Sequence, residues 1–286
     1  MSRARPALRG SLCALCAALL LAACGSAPKV GEPALRKQAQ ETERDGARRY
    51  SRGDYAGAAR HFAAAGQLQQ SLDDPVATAR NQLHQSRAEL AMGQAEAALQ
   101  RALRIAPAEF AVDALLLQAQ ANLALGSITA AQASLAVAAT SCAATCPQSA
   151  SLNLLQARAA LADQRAPDAL KHAEAAMKLL QDKDEAAETG NAWRLIAAAR
   201  LASGDAVGAL PAAGAALDID RQLALPEKIA RDWLLIGDIR KKVGAGDTAP
   251  AYQRALDVAN AAGLQEIAGI AAQAINEVKP PQGNPR

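Results

Sequence analysis

Aromatic residues make up only 2% of the 286-residue chain, although 51% of its residues are hydrophobic. A core with so few large side chains must form where elements with small faces approach each other closely. Alanine, the most frequent residue, has the highest helix propensity, whereas β-sandwiches are rich in valine, isoleucine, threonine and tyrosine. The composition therefore predicts packed helices and argues against a β-sandwich.

The sequence also lacks the common catalytic motifs. It contains no Gly-x-x-x-x-Gly-Lys-Ser/Thr, no Gly-x-Ser-x-Gly and no His-Glu-x-x-His segment. Its three histidines, His61, His84 and His172, lie far apart, and none has a second ligand-type residue at a diagnostic spacing. A surface or structural role is favoured for each, with metal binding or proton transfer as the alternative. We therefore predict no catalytic residue, no metal site and no small-molecule substrate.

Apart from its N-terminus, the chain carries no net charge. The net charge of +3 equals the contribution of Arg3, Arg5 and Arg9. Without these three arginines, the remaining basic side chains equal the 28 acidic ones in number. A balanced chain offers no electrostatic reason to expect a nucleic acid as partner.

The N-terminus has the pattern of a secretory signal peptide over residues 1–23. A positively charged start is followed by an apolar run that is too short for a comfortable transmembrane helix. The run ends in Leu21-Ala22-Ala23-Cys24, which resembles the lipobox of bacterial lipoproteins. The resemblance implies a covalent lipid on Cys24, with no other cofactor, and a flexible tether over residues 24–34. Ordinary signal-peptide cleavage, with Cys24 incidental, is the alternative. Gly25 after the cysteine implies, by the same resemblance, an outer-membrane anchor facing the periplasm.

The remainder of the chain repeats itself. The segment Gly53…Ala58…Phe62…Ala65 returns in similar form several times, and a small residue precedes each central alanine by about one helix length. This pattern resembles tetratricopeptide (TPR) repeats, although most units are longer than the typical length of about 34 residues. The resemblance implies contacts between small residues of paired helices: Gly46, Ala58, Ser86, Ala98, Ala119, Ala131, Ala157, Ala169, Ala197, Ala209, Gly237 and Ala251.

The repeats set the expected domain organisation. We predict an all-α, right-handed α-solenoid of about six TPR-like helix hairpins over residues 35–278. Its last segment, 264–278, reads as a capping helix, and the proline-containing residues 279–286 read as a disordered tail. A generic alanine-rich helix bundle is the alternative.

Two cysteines besides Cys24 follow the predicted signal peptide. Cys142 and Cys146 flank the predicted linker between the third and fourth repeats, where an oxidising periplasm would favour a local disulfide. Two free thiols, or a redox or metal role, are the alternatives. Their four-residue spacing is not the Cys-x-x-Cys of redox motifs, which favours the structural disulfide.

The TPR resemblance also implies a peptide-binding groove on the concave side, lined by the first helix of each hairpin. Leucines Leu90, Leu123, Leu161 and Leu201 of these helices could instead belong to the core between repeats. The candidate groove residues are Leu83, Arg87, Leu116, Gln120, Leu154, Arg158, Arg194, Leu234 and Asp238.

These features together predict a lipid-anchored periplasmic scaffold for protein–protein interaction. Its expected partner is another envelope protein or a peptide segment, and its expected contact with the membrane is the lipid anchor. The layout is loosely similar to pilotin-type outer-membrane lipoproteins of type IV pili, which implies a role in assembling a pilus or secretin complex. A regulatory lipoprotein of a peptidoglycan synthase is the alternative, and an enzyme is less favoured.

Overall fold

The computed structural model describes residues 33–142, 146–244 and 248–278. The predicted signal peptide, Cys24, nearly all of the tether and the C-terminal tail lie outside these ranges. None of the helices within them is long and apolar enough to cross a membrane. The helices are α1 Ala34–Ser51, α2 Tyr55–Ser71, α3 Pro75–Ala91, α4 Ala95–Ala102, α5 Ala111–Ala124, α6 Ile128–Ser141, α7 Ser149–Ala162, α8 Ala166–Leu180, α9 Ala186–Ala202, α10 Ala206–Gln222, α11 Pro226–Val243, α12 Thr248–Ala261 and α13 Gln265–Val278, with a short 3₁₀ helix at Ala108–Phe110.

The helices form six successive hairpins, α1/α2 to α11/α12, followed by α13. Each helix packs on the next along the chain, and from α3 onward each first helix of a hairpin also contacts the first helix of the following unit. The second helices make no comparable contacts with one another in the described ranges. The first helices therefore form one continuous surface, which we call the inner face. The all-α solenoid of six hairpins and a capping helix is confirmed.

A left-handed residue ends the first helix of each of the six hairpins. Gly53 has a φ of +81°, and the N–H of the next residue, Asp54, donates to the carbonyl of Arg49 at 3.0 Å. This Schellman geometry favours glycine because a Cβ is strained at positive φ. In the fourth hairpin, where the repeat has glutamine instead of glycine, Gln164 takes the same conformation with a φ of +58°.

Small residues bring the paired helices together. Gly46 faces the ring of Phe62, and a Cβ built at this glycine would lie 2.9 Å from the ring carbon Cδ1. Gly237 faces Tyr252 in the same way, because its missing side chain leaves the space that the ring fills. All twelve small residues of the predicted hairpin contacts are buried. The scarcity of aromatics thus accompanies a core made mainly of alanine.

A disulfide joins Cys142, next to the end of α6, to Cys146, just before α7. Their Cα atoms lie 5.2 Å apart. Residues 143–145 between them are outside the described ranges. The bond closes a short loop where the third hairpin leads into the fourth.

Candidate protein-binding surface

The inner face offers fewer apolar side chains than the TPR resemblance implied. Leu83, Leu116 and Leu154 were expected to line the groove, but they are only 3%, 7% and 4% exposed. Each packs in a core cluster between neighbouring helices. Leu234 is half-buried and packs against the cluster around Ile267. The expectation that Leu83, Leu116 and Leu154 face a partner is therefore wrong, because their side chains pack between helices.

The polar groove candidates do reach solvent. Arg87 and Arg158 are exposed on α3 and α7, and Gln120 is partly exposed on α5. Asp238, on α11, is also exposed and accepts a hydrogen bond of 2.7 Å from the hydroxyl of Tyr252. The surface that the first helices present is thus mainly polar and charged.

Charged and polar side chains link successive first helices across the inner face. Glu43 on α1, for example, pairs with Arg80 on α3. Burial acts to raise the pKa of Glu43, but the hydrogen bonds and charge of Arg80 outweigh this effect and hold the pKa below its usual value. We call these links the inner-face pairs. They are Glu43–Arg80 at 2.8 Å, Arg87–Asp113 at 3.1 Å, Asp113–Gln148 at 2.8 Å, Arg194–Asp232 at 2.6 Å and Lys241–Glu277 at 2.9 Å.

One inner-face pair extends into a buried charge cluster. The guanidinium of Arg194 on α9 also bonds Asp220 on α10, so a single arginine holds two aspartates that are both fully buried. Burial raises the pKa of Asp232 to about 6, because the bonds and charge of Arg194 offset only part of the desolvation and Asp220 adds repulsion. Of these three residues, only Arg194 was among the predicted groove residues, and no sequence signal points to either aspartate.

A glycine makes room for this cluster. A Cβ at Gly190 on α9 would lie 3.1 Å from Oδ1 of Asp220, which is tighter than most real contacts. That oxygen accepts no hydrogen bond from the described residues, although the other carboxylate oxygen receives the Arg194 guanidinium. Such a buried charge is tolerated because a partner of opposite sign contacts it directly.

The three histidines lie in different hairpins. His61 donates from Nδ1 to the carbonyl of Gly57 at 2.9 Å. His84 stacks on Phe62 with ring centroids 5.0 Å apart, and burial lowers its pKa. His172 lies 3.3 Å from the side-chain oxygen of Asn153, measured from its Nδ1. Within the described part of the chain, no group of three His, Cys, Asp or Glu side chains is placed to hold a metal ion.

Solved structures with a similar fold include two Rap proteins and an aspartyl phosphate phosphatase. No protein-family model and no curated protein matches this chain. A Rap protein complexed with Competence and Sporulation Factor has a TM-score of 0.67 at 12% identity, over 85% of this chain and 71% of that one. The apo form of RapI gives 0.59 at 11% identity, over 84% and 70%. Aspartyl phosphate phosphatase F from Bacillus subtilis gives 0.52 at 12% identity, over 88% and 84%. At these identities the likeness concerns the fold, and the fold is a TPR-like helical repeat.

Proposed function

We propose that the protein is a lipid-anchored scaffold of the cell envelope that holds another protein on its inner face. The observation that carries the proposal is the inner face itself, where the first helices of six hairpins lie side by side and present exposed polar and charged side chains. An extended, continuous surface of this kind suits a peptide segment or a helix of a partner. The Rap protein of the same fold, solved with Competence and Sporulation Factor, supports binding as the use of this architecture.

The partner in this proposal belongs to an envelope assembly of the pilus or secretin type. Photo-cross-linking in the native bacterium tests it, with a photoreactive residue at Gln120 on the inner face. The control carries the same residue at Val207, which is 76% exposed on α10, a second helix. We expect a secretin or pilus protein to be captured from Gln120 and not from Val207. Capture of a penicillin-binding protein instead would favour regulation of a peptidoglycan synthase, and equal capture from both positions would refute the inner face as the site.

The membrane part of the proposal depends on Cys24, which lies outside the described residues. Labelling the native bacterium with a palmitate analogue should mark the wild-type protein and leave it in the outer-membrane fraction. The Cys24→Ser variant should lose both the label and the membrane association, because a covalent acyl anchor needs the thiol. Mass spectrometry that finds an unmodified Cys24 in mature protein would refute the anchor and leave the inner face untouched.

A further inference from the structure

Two arginines occupy the same position in different repeats but have different surroundings. Arg87 directly follows Ser86, the small residue through which α3 packs on its hairpin partner. Arg158 directly follows Ala157, the corresponding residue of α7. Arg87 pairs with Asp113 on α5, the next first helix. Asp113 lies six residues before Ala119, the small packing residue of that helix. The corresponding position on α9, six residues before its small packing residue Ala197, would face Arg158. Asn191 occupies this position. The series of inner-face pairs is therefore interrupted between α7 and α9.

No side chain among those described takes the place of the missing carboxylate. Arg158 forms no ion pair or hydrogen bond with any residue in the described ranges, although it is exposed on the inner face. Asn191 already donates to Glu188 at 3.0 Å and accepts from Arg194 at 3.0 Å. Glu188 attracts Arg158 only from a longer range. An interrupted series thus leaves one guanidinium with its five donors available to a ligand.

Two further arginines on the neighbouring first helices lie near Arg158. Partial burial in the inner face lowers the pKa of Arg158, and the charges of Arg231 on α11 and Arg194 on α9 lower it further. The charge of Arg194 is matched by the two buried aspartates, and Arg231 pairs with Glu227 on its own helix at 3.1 Å. Of these three arginines, only Arg158 has no acid in contact with it among the described residues, so its charge is the one that can bind an anion.

We propose that Arg158 binds the carboxylate of an aspartate or glutamate side chain in a peptide segment of the partner protein. This proposal rests on the proposed function and names the chemistry of the segment. The partner's carboxylate takes the place that Asp113 fills for Arg87, so that binding completes the series of inner-face pairs. A planar guanidinium suits this role because it can give a carboxylate two parallel hydrogen bonds.

Fluorescence anisotropy of the full chain with short labelled peptides tests the proposal. The probes are an amidated peptide in which glutamate alternates with leucine and alanine, its glutamine counterpart, and the glutamine peptide with a free C-terminus. We expect the wild-type protein to bind the glutamate peptide about tenfold more tightly than the glutamine peptide, with a preference that weakens as salt is raised. Equal binding of the two peptides, binding of neither, or a preference for the free C-terminus would overturn the proposal.

Two variants should prevent Arg158 from binding a carboxylate of the peptide, each by a different means. Arg158→Gln removes the charge, and Asn191→Asp supplies the missing carboxylate from within the chain; both should abolish the preference for glutamate. Arg60→Gln is the matched control, because it removes one exposed arginine from α2, a second helix outside the inner face, and it should keep the preference. A preference that survives in both test variants would overturn the proposal, even where inner-face cross-linking at Gln120 succeeds and the proposed function stands.

Discussion

Replacement of Arg194 should lower the stability of the fifth and sixth hairpins by more than the replacement of any exposed charged residue. Arg194→Gln leaves Asp220 and Asp232 buried without their counter-charge, and both carboxylates are fully buried. Deleting one member of a buried ion pair costs about 3–5 kcal/mol, because the desolvated charge that remains has no partner. We expect a loss of this size in the free energy of unfolding at about pH 8, measured by urea titration with far-UV circular dichroism.

The size of this loss should depend on pH with a definite sign. The pKa of Asp232 is about 6 in the folded protein, above the value of about 3.9 for an unfolded aspartate. The folded state therefore binds more protons between these values, so stability from this group falls by up to about 3 kcal/mol as the pH rises from 4 to 6. In Arg194→Gln the carboxyl of Asp232 should protonate more readily, and the deficit relative to wild type should shrink towards pH 4.

A matched control separates burial from charge. Arg231→Gln removes an arginine from the next first helix, where it pairs with the exposed Glu227. An exposed pair contributes less than about 1 kcal/mol, so this variant should remain close to wild type at every pH. A loss in Arg194→Gln as small as that of Arg231→Gln, or one that does not change with pH, would refute the assignment of a buried charge cluster.

Four further substitutions test the packing, the turns and the disulfide by the same urea titration. Gly237→Ala should cost about 1–3 kcal/mol because its Cβ would overlap the ring of Tyr252, whereas Gly214→Ala, in a helix with open space around it, should stabilise by about 0.5–1 kcal/mol. Gln164→Gly should stabilise by about 0.5–1 kcal/mol because it relieves a left-handed residue, and an unchanged midpoint would contradict this reasoning. Cys146→Ser should cost about 2 kcal/mol under oxidising conditions, and no difference should remain after reduction of the wild type.

The hairpins could be predicted because their signals are local. The contact between two helices of a hairpin needs one small residue on each helix and a left-handed residue in the turn, all within one repeat. Gly46 with Ala58 and Gly53 show this pattern in the printed sequence, and the structure buries the first two and gives the third a positive φ. Even the departure at Gln164 falls at the turn where the pattern expected glycine.

The surface could be predicted only in part because its contacts join distant repeats. Asp220 and Asp232 reach Arg194 from two other helices, 26 and 38 residues away along the chain, and no spacing rule connects them. The apolar groove expectation failed for Leu83 and its equivalents because helical periodicity places such a residue near the edge of the face, and the rotation of the neighbouring helix decides its burial.

Because the hairpins in the described ranges contact only their neighbours, unfolding can begin in one part of the array while another part stays folded. The chain has only two tryptophans, and both lie at the same end, Trp193 on α9 and Trp233 on α11. Indole fluorescence therefore follows the fifth and sixth hairpins alone, whereas circular dichroism follows every helix. The separation between the two transition midpoints is a direct measure of how many repeats melt together as one cooperative block.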